Sequence, residues 1–522
     1  MTADVASPAA RGGADRSLLG LFDASRFRIV PGGEASGAGP AASWYFAHAT
    51  VAVPADGAAV AGFATSTRWL HDVRRWSDSH PGRPPLEAPP LVWLGAPDVV
   101  RGARMSADGA SIALREDELA LALADKLPLN QSWYDSSSTS FFAAGGLMLT
   151  GTQGAAGFKA RSFWPEAFTL GPETAPHRPL ERDADAGKEI VRRMREDRDA
   201  TAAFEAHTLW ERAPARDWRG KTALGFLVSG AQGDDDEAHA GHFAIATGRV
   251  DDQGAIDHWM VNNFYSLDIE SEKGILAAPV PLSCYLGDLN AGQSWYRPSW
   301  MLVALLDDER AAVRVQSALG RVFRHFWRHQ LVYRHATENC TSISIDTLRV
   351  MGLDVPAMGP TSGVLAALGF PVLVLRERSL ARARTAFDYV ATERTRLLPA
   401  LALQATADAL WRLARREEPP TGRLGLELGA DLAALAWLRF PQFPSSRAQG
   451  GPPVVSLDEY RARVPRDPAM RQVVVVPSRE FPDALRDADL LPPLPRPSDR
   501  VVRYWMIVPL AIVAFVLILF LR

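Results

Sequence analysis

The sequence predicts an α+β chain of several domains, and three observations carry that reading. Strand-like runs bounded by Gly, Pro and Ser recur through the first third and again near the middle. Apolar residues return at helical spacing after residue 300. A length of 522 residues at 47% hydrophobic content is enough for about three ordinary cores. The net charge of −3 argues against a nucleic-acid partner, and two cysteines cannot build a disulfide framework.

Residues 1–28 are small and polar and are expected to be disordered; Leu18-Leu19-Gly20-Leu21-Phe22 is their only apolar run. Residues 29–175 read as a β-rich N-terminal domain, with strand-like runs from Trp44 to Val53, Pro90 to Leu94 and Gly145 to Thr150, and no catalytic constellation among them. A charged helix is expected from Ala186 to Trp210, striped by Ile190, Val191, Met194 and Phe204. Residues 186–355 form the candidate catalytic domain, whose first buried strand is Ala223 to Ser229. Within it Asp307-Asp308-Glu309 caps a helix running through Val315, Leu319, Val322, Phe323 and Phe326. Residues 356–440 read as helical and 441–500 as a Pro-rich linker, with Pro492 to Pro497 as a semi-rigid spacer.

Chemistry concentrates at two places. Asn339 is a ready N-cap, and Ile343, Leu348 and Met351 give the following residues a helical stripe that stops at Gly352, so Cys340 falls on a first helical turn. There the unpaired N–H groups and the macrodipole favour thiolate over thiol. Cys284 has no such setting and reads as structural.

His242 opens a strand-like run to Gly248, and the acidic turn Arg249 to Gly254 leads to a second run ending Asn262-Asn263-Phe264-Tyr265. With the turn centred between Asp252 and Gln253, opposing residue numbers sum to 505, so His242 faces Asn263, or Asn262 if a bulge intervenes. Either amide carbonyl can orient an imidazole that serves a cysteine nucleophile. His258 competes for the orienting role from the far side of the strand.

The stretch from about Ala223 to Asp354, with Gly241-His242-Phe243, the strand ending Asn262-Asn263-Phe264-Tyr265, then Tyr333 and Glu338-Asn339-Cys340-Thr341-Ser342, resembles the N-terminal domain family of the bacterial lipoprotein N-acyltransferase Lnb. The resemblance covers roughly a quarter of the chain. It implies a permuted papain-like central domain, an antiparallel sheet with helices, of the lecithin:retinol acyltransferase kind, in which His precedes Cys and a thioester forms on the cysteine. His242, Cys340 and Asn262 or Asn263 carry over. Cys340 would attack a carbonyl, His242 would move the proton, and an asparagine would hold the ring. The implied activity is acyl transfer or hydrolysis on a lipid, lipoprotein or other amide or ester, without cofactor or metal.

Tyr504 to Leu521 is uninterrupted by charge. As a helix its 18 residues would rise about 27 Å, close to the ~30 Å bilayer core. The expectation is a single-pass transmembrane helix over 501–522 that anchors the chain in the lipid bilayer. With no export signal at the N-terminus and Arg500 and Arg503 against Arg522, the globular part is expected on the cytoplasmic rather than the periplasmic side. Two other functions stay open. One is a non-catalytic tail-anchored adaptor with a vestigial Cys-His pair. The other is a metal-dependent hydrolase, using Asp234 to His242 or the His325/His329 pair.

Overall fold

The computed structural model describes residues 17–35, 39–56, 68–115, 117–181, 185–213, 217–269, 275–417, 419–445 and 447–485. Within them the chain is α+β. At its start β1 (Leu18–Leu19) pairs with β2 (Phe22–Asp23), and β3 (Phe27–Pro31), β4 (Thr50–Pro54) and β5 (Val92–Gly95) form a three-stranded antiparallel sheet. Next, β6 (Asp98–Met105), β7 (Ser111–Leu114), β8 (Asp117–Leu123), β9 (Leu147–Gly154) and β10 (Gly157–Pro165) close into a barrel in the order β10-β8-β7-β6-β9.

The centre is a seven-stranded sheet. It comprises β11 (Glu205–Glu211), β12 (Thr222–Ser229), β13 (His242–Arg249), β14 (Met260–Asn263), β15 (Ala278–Pro281), β16 (Ser299–Leu306) and β17 (Leu432–Phe440), in the order β11-β17-β16-β12-β13-β14-β15 with every neighbour antiparallel. β12, β16 and β17 are buried along their whole lengths, as strands covered on both faces are. Phe142 and Phe163 near the barrel, Trp295 before β16 and Phe443 after β17 interlock at centroid separations of 4.9 to 6.3 Å, joining barrel and sheet in one core.

Several expectations are corrected. Residues 432–440, read as helical, are the strand β17, because Leu-Ala-Ala-Leu-Ala-Trp-Leu is a continuous apolar run that periodicity cannot divide between a buried strand and a buried helix. The helix expected from Ala186 to Trp210 ends at Glu196, and β11 follows it. The run from Trp44 to Val53 divides between the helix Gly39–Tyr45 and β4. Of the segment expected to be disordered, residues 17–28 are placed: Leu19, Leu21 and Phe22 are buried, and Gly20 N–H donates to the His258 carbonyl at 2.7 Å. Residues 447–485 of the expected linker lie along the globular part; Gly451 bridges to Ala231, and Leu457–Arg463 is helical.

The membrane anchor is also corrected. Among the described residues no helix is long and apolar enough to cross a membrane. The longest, Arg310–Trp327, has 18 residues but carries Arg310, Arg314, Arg321 and Arg324. Residues 501–522, on which the anchor was expected, lie outside the described residues. The single-pass topology and the cytoplasmic placement derived from it therefore do not stand.

The place of β17 is testable by cross-linking. Ala436 faces Val303 on β16, and directly opposed antiparallel residues lie about 4.5–5.5 Å apart at Cα, within disulfide reach. Val303→Cys with Ala436→Cys should form a disulfide under mild oxidation, mapped by peptide mass spectrometry. Val303→Cys with Ala434→Cys should form little. Equal yields from both pairs would contradict the register.

Candidate active site

Cys340 opens the helix Cys340–Val350 behind a reciprocal cap. Asn339 Oδ1 accepts the Thr341 and Ser342 N–H groups, each at 2.9 Å, and Ser342 Oγ accepts Asn339 N–H at 2.8 Å. Asn339 Nδ2 donates to the His335 carbonyl at 2.9 Å, which fixes the cap itself. The arrangement sets the cysteine at the first helical position, where the macrodipole favours an anion. The cap leaves Cys340 N–H unused, and that group points at Tyr333 Oη, 3.4 Å away.

His242 begins β13 because the chain turns sharply just before it. Gly241 has φ +80°, and a Cβ there would lie 2.4 Å from the Ser229 carbonyl oxygen, so the residue before the histidine has to be glycine. His242 Nε2 lies 2.6 Å from Asn263 Oδ1, and Asn263 Nδ2 donates to the Leu276 carbonyl. An amide whose nitrogen is committed to a carbonyl must turn its oxygen to the ring. Nε2 therefore carries the proton, which leaves Nδ1 to take one from the Cys340 thiol, the group hydrogen-bonded to the ring.

The two asparagines separate cleanly. β13 and β14 pair Ile245 with Asn262 and Thr247 with Met260, so opposing numbers sum to 507, two more than the tight-turn expectation, because a ten-residue loop joins the strands. A two-residue shift preserves the face of every side chain, and His242 reaches Asn263 along the diagonal. Asn262 points to the other face. Its Nδ2 donates to Gln316 Oε1 at 3.1 Å and its Oδ1 accepts from Gln316 Nε2 at 3.2 Å, which ties β14 to the helix Arg310–Trp327. His258 lies in the loop, with Nε2 3.0 Å from the Arg249 carbonyl, away from the thiol. Cys284 is fully buried, its sulfur 3.6 Å from the Leu94 carbonyl.

Cys340 is only 5% exposed. Burial pushes its thiol up, but the charge of His242, the hydrogen bond to that ring, the Phe243 N–H and the Thr341 hydroxyl together outweigh it and hold the thiol down to about 6. Tyr333 shifts the other way. Burial, and then the neighbouring Cys340, hold its hydroxyl protonated well above the usual phenol range. Cys340 N–H donates to Tyr333 Oη, so an oxyanion that took this N–H from the tyrosine would meet two donors beside the sulfur.

No family model matches the chain, and no curated protein or solved structure matches it.

Sequence reasoning did not single out the polar groups flanking this triad. Ser229 pairs with His242 across β12 and β13, and its Oγ lies 3.1 Å from Ser299 Oγ and 3.2 Å from Tyr285 Oη. Tyr265 packs against Tyr333 with ring centroids 5.6 Å apart, and Arg297 donates to the Gly230 carbonyl at 3.0 Å. Strand order was the missing signal, since Ser299 and Ser229 become neighbours of the histidine only once β16, β12 and β13 are adjacent. A cleft of about 500 Å³, lined by Trp44, Tyr45, Phe46, Arg161 and Arg479 among others, includes neither Cys340 nor His242 in its walls.

The metal constellations are otherwise engaged. Asp234 pairs with Arg447, Asp235 accepts Glu237 N–H, and Asp236 accepts Gln472 N–H. His325 bonds to Asp72 and Gln330, whereas His329 lies beyond the helix at φ +60° and pairs with Asp268. Among the described residues no group of three His, Cys, Asp or Glu side chains is placed to hold a metal ion.

Two substitutions should therefore behave differently. Asn263→Ala should slow alkylation of Cys340 by iodoacetamide at neutral pH without abolishing it, because nucleophile and base remain in place. Asn262→Ala should leave the alkylation rate near wild type but cost about 1–3 kcal/mol of stability, since it strands the buried Gln316 Nε2, the amide oxygen keeping the Thr247 hydroxyl. Alkylation kinetics and denaturant melts check both; the reverse pattern would mean that Asn262 is the orienting residue. The alkylation rate of the wild type should rise as pH increases through about 6 and then level off, and His242→Ala should move that midpoint upward.

Proposed function

We propose that the chain is a cysteine-dependent acyl transferase or hydrolase working through a thioester, the activity implied by its resemblance to the Lnb N-terminal domain family. The observation that carries the reading is a cysteine on a capped first helical turn, beside a histidine whose tautomer an asparagine fixes.

The Cys340 thiolate attacks the carbonyl carbon, and the C=O electron pair moves onto oxygen, where Cys340 N–H and Tyr333 O–H donate to it. His242 Nδ1–H passes its proton to the departing amine or alcohol as the C–N or C–O bond breaks. The acyl group is then held as a thioester. Water or a second nucleophile gives a proton to Nδ1 and attacks the thioester carbonyl, and the C–S bond breaks to return the thiolate. Amides and esters both fit this sequence, acyl groups of lipids and lipoproteins among them.

The alternative, a non-catalytic adaptor, draws on the burial of Cys340, a residue only 5% exposed. Acyl trapping separates the two. With p-nitrophenyl acetate the protein should release a burst of p-nitrophenol equal to the protein present and carry a hydroxylamine-labile acetyl group on the peptide containing Cys340. Cys340→Ser should abolish that thioester, and His242→Ala should slow the burst by about 10²–10⁴-fold. Acetylation scattered over lysines and unchanged by Cys340→Ser would favour the adaptor.

A further inference from the structure

Arg297 lies in the loop before β16 and is 3% exposed. Every hydrogen-bond partner it has among the described residues is neutral. Gln293 Oε1 accepts from Nε at 2.9 Å and from Nη2 at 2.6 Å, and the Gly230 carbonyl accepts from Nη1 at 3.0 Å. Three of the five guanidinium donors are thereby engaged, and two have no protein partner among the described residues.

The other fully buried arginines are built differently. Arg314 faces Glu427 at 2.6 Å, and Arg439 faces Asp197. Among the described residues Arg297 alone of the three has no paired carboxylate. A buried guanidinium with no carboxylate bonded to it keeps donors unfilled, and an arriving anion would fill them. Its position indicates where that anion comes. Gly230 follows Ser229, which sits opposite His242, and Arg297 lies in the electrostatic range of Tyr285, Cys340, Tyr265 and the buried carboxylate of Asp235, with no hydrogen bond from Arg297 to that carboxylate.

We infer that Arg297 is the anion-recognition residue of the Cys340 site and that the acyl substrate carries a carboxylate or similar oxyanion close to the reacting carbonyl. The inference rests on the acyl-transfer reading above and narrows its substrate class. A planar guanidinium with two donors remaining fits a two-oxygen anion and discriminates against a neutral amide in the same place.

Iodoacetate and iodoacetamide test this directly, because they share a leaving group and differ only in carboxylate against amide. Their rate ratio at one sulfur cancels thiol pKa and access. Relative to the ratio for glutathione, the ratio at Cys340 should favour iodoacetate by about tenfold or more, the contribution of one charge-assisted hydrogen bond. Arg297→Gln should bring the ratio down to near that of glutathione, and Arg297→Lys should keep part of the preference, a control that holds if the glutamine variant folds poorly. A wild-type ratio equal to that of glutathione, at a Cys340 that still reacts quickly, would overturn the inference alone. So would Arg297→Gln slowing both reagents equally, which is how a residue that only stabilises the thiolate behaves. A Cys340 slow with both reagents would overturn the acyl-transfer reading and this inference with it.

Discussion

A cysteine at 5% exposure becomes a thiolate near pH 6 only if something outweighs the lost water, and here most of the weight falls on one imidazole in one tautomer. His242 serves Cys340 through Nδ1 only while Nε2 holds its proton against Asn263 Oδ1. Asn263 presents that oxygen because its own nitrogen is tied to the carbonyl of Leu276, two residues before β15. The chemistry therefore depends on the edge of the sheet. If β14 and β15 part, the amide is free to turn, the ring loses its fixed proton, and the largest offset to the burial of the sulfur goes with it, leaving only the Phe243 N–H and the Thr341 hydroxyl.

The same sheet separates chemistry from support by its two-residue period. Asn262 and Asn263 are adjacent in sequence, identical in kind and opposite in role. One bonds Gln316 and holds the helix Arg310–Trp327 against β14, and the other meets the histidine. On the His242 face, polar side chains from four neighbouring strands, Ser299, Ser229, His242 and Asn263, line up within a protein whose β12 and β16 carry no other polar side chain but Thr222 at the far end of β12. Such a row is expensive in a core unless its members bond one another, and these do at 2.6 to 3.1 Å between Ser299 and Ser229 and between His242 and Asn263. Arg297 stands beside the row with no carboxylate bonded to it among the described residues and with donors that a substrate anion would fill.

What the sequence made legible was local. The setting of Cys340 could be read because a cap residue and a helical stripe are short-range signals, and that of His242 because alternation and a preceding glycine mark a strand start. The choice between Asn262 and Asn263 could not be read, since it turns on the length of the β13–β14 loop, and the shift of the pairing sum from 505 to 507 shows how little a turn guess constrains register. β17 was illegible for a different reason. A strand covered on both faces has no period, and this one lies 126 residues after β16, its partner in the sheet. Arg297 and the Ser229–Ser299 pair belong to the same class of feature, being ordinary residues in sequence that acquire meaning only from strand order.

The central claim, that Cys340 is a thiolate held by His242 within a buried site, is tested most directly by titrating the ultraviolet absorbance of the thiolate in the wild type against Cys340→Ser. The account predicts a difference step of one thiolate per chain centred near pH 6. A step in the ordinary cysteine range, about 8.5 or above, would contradict it.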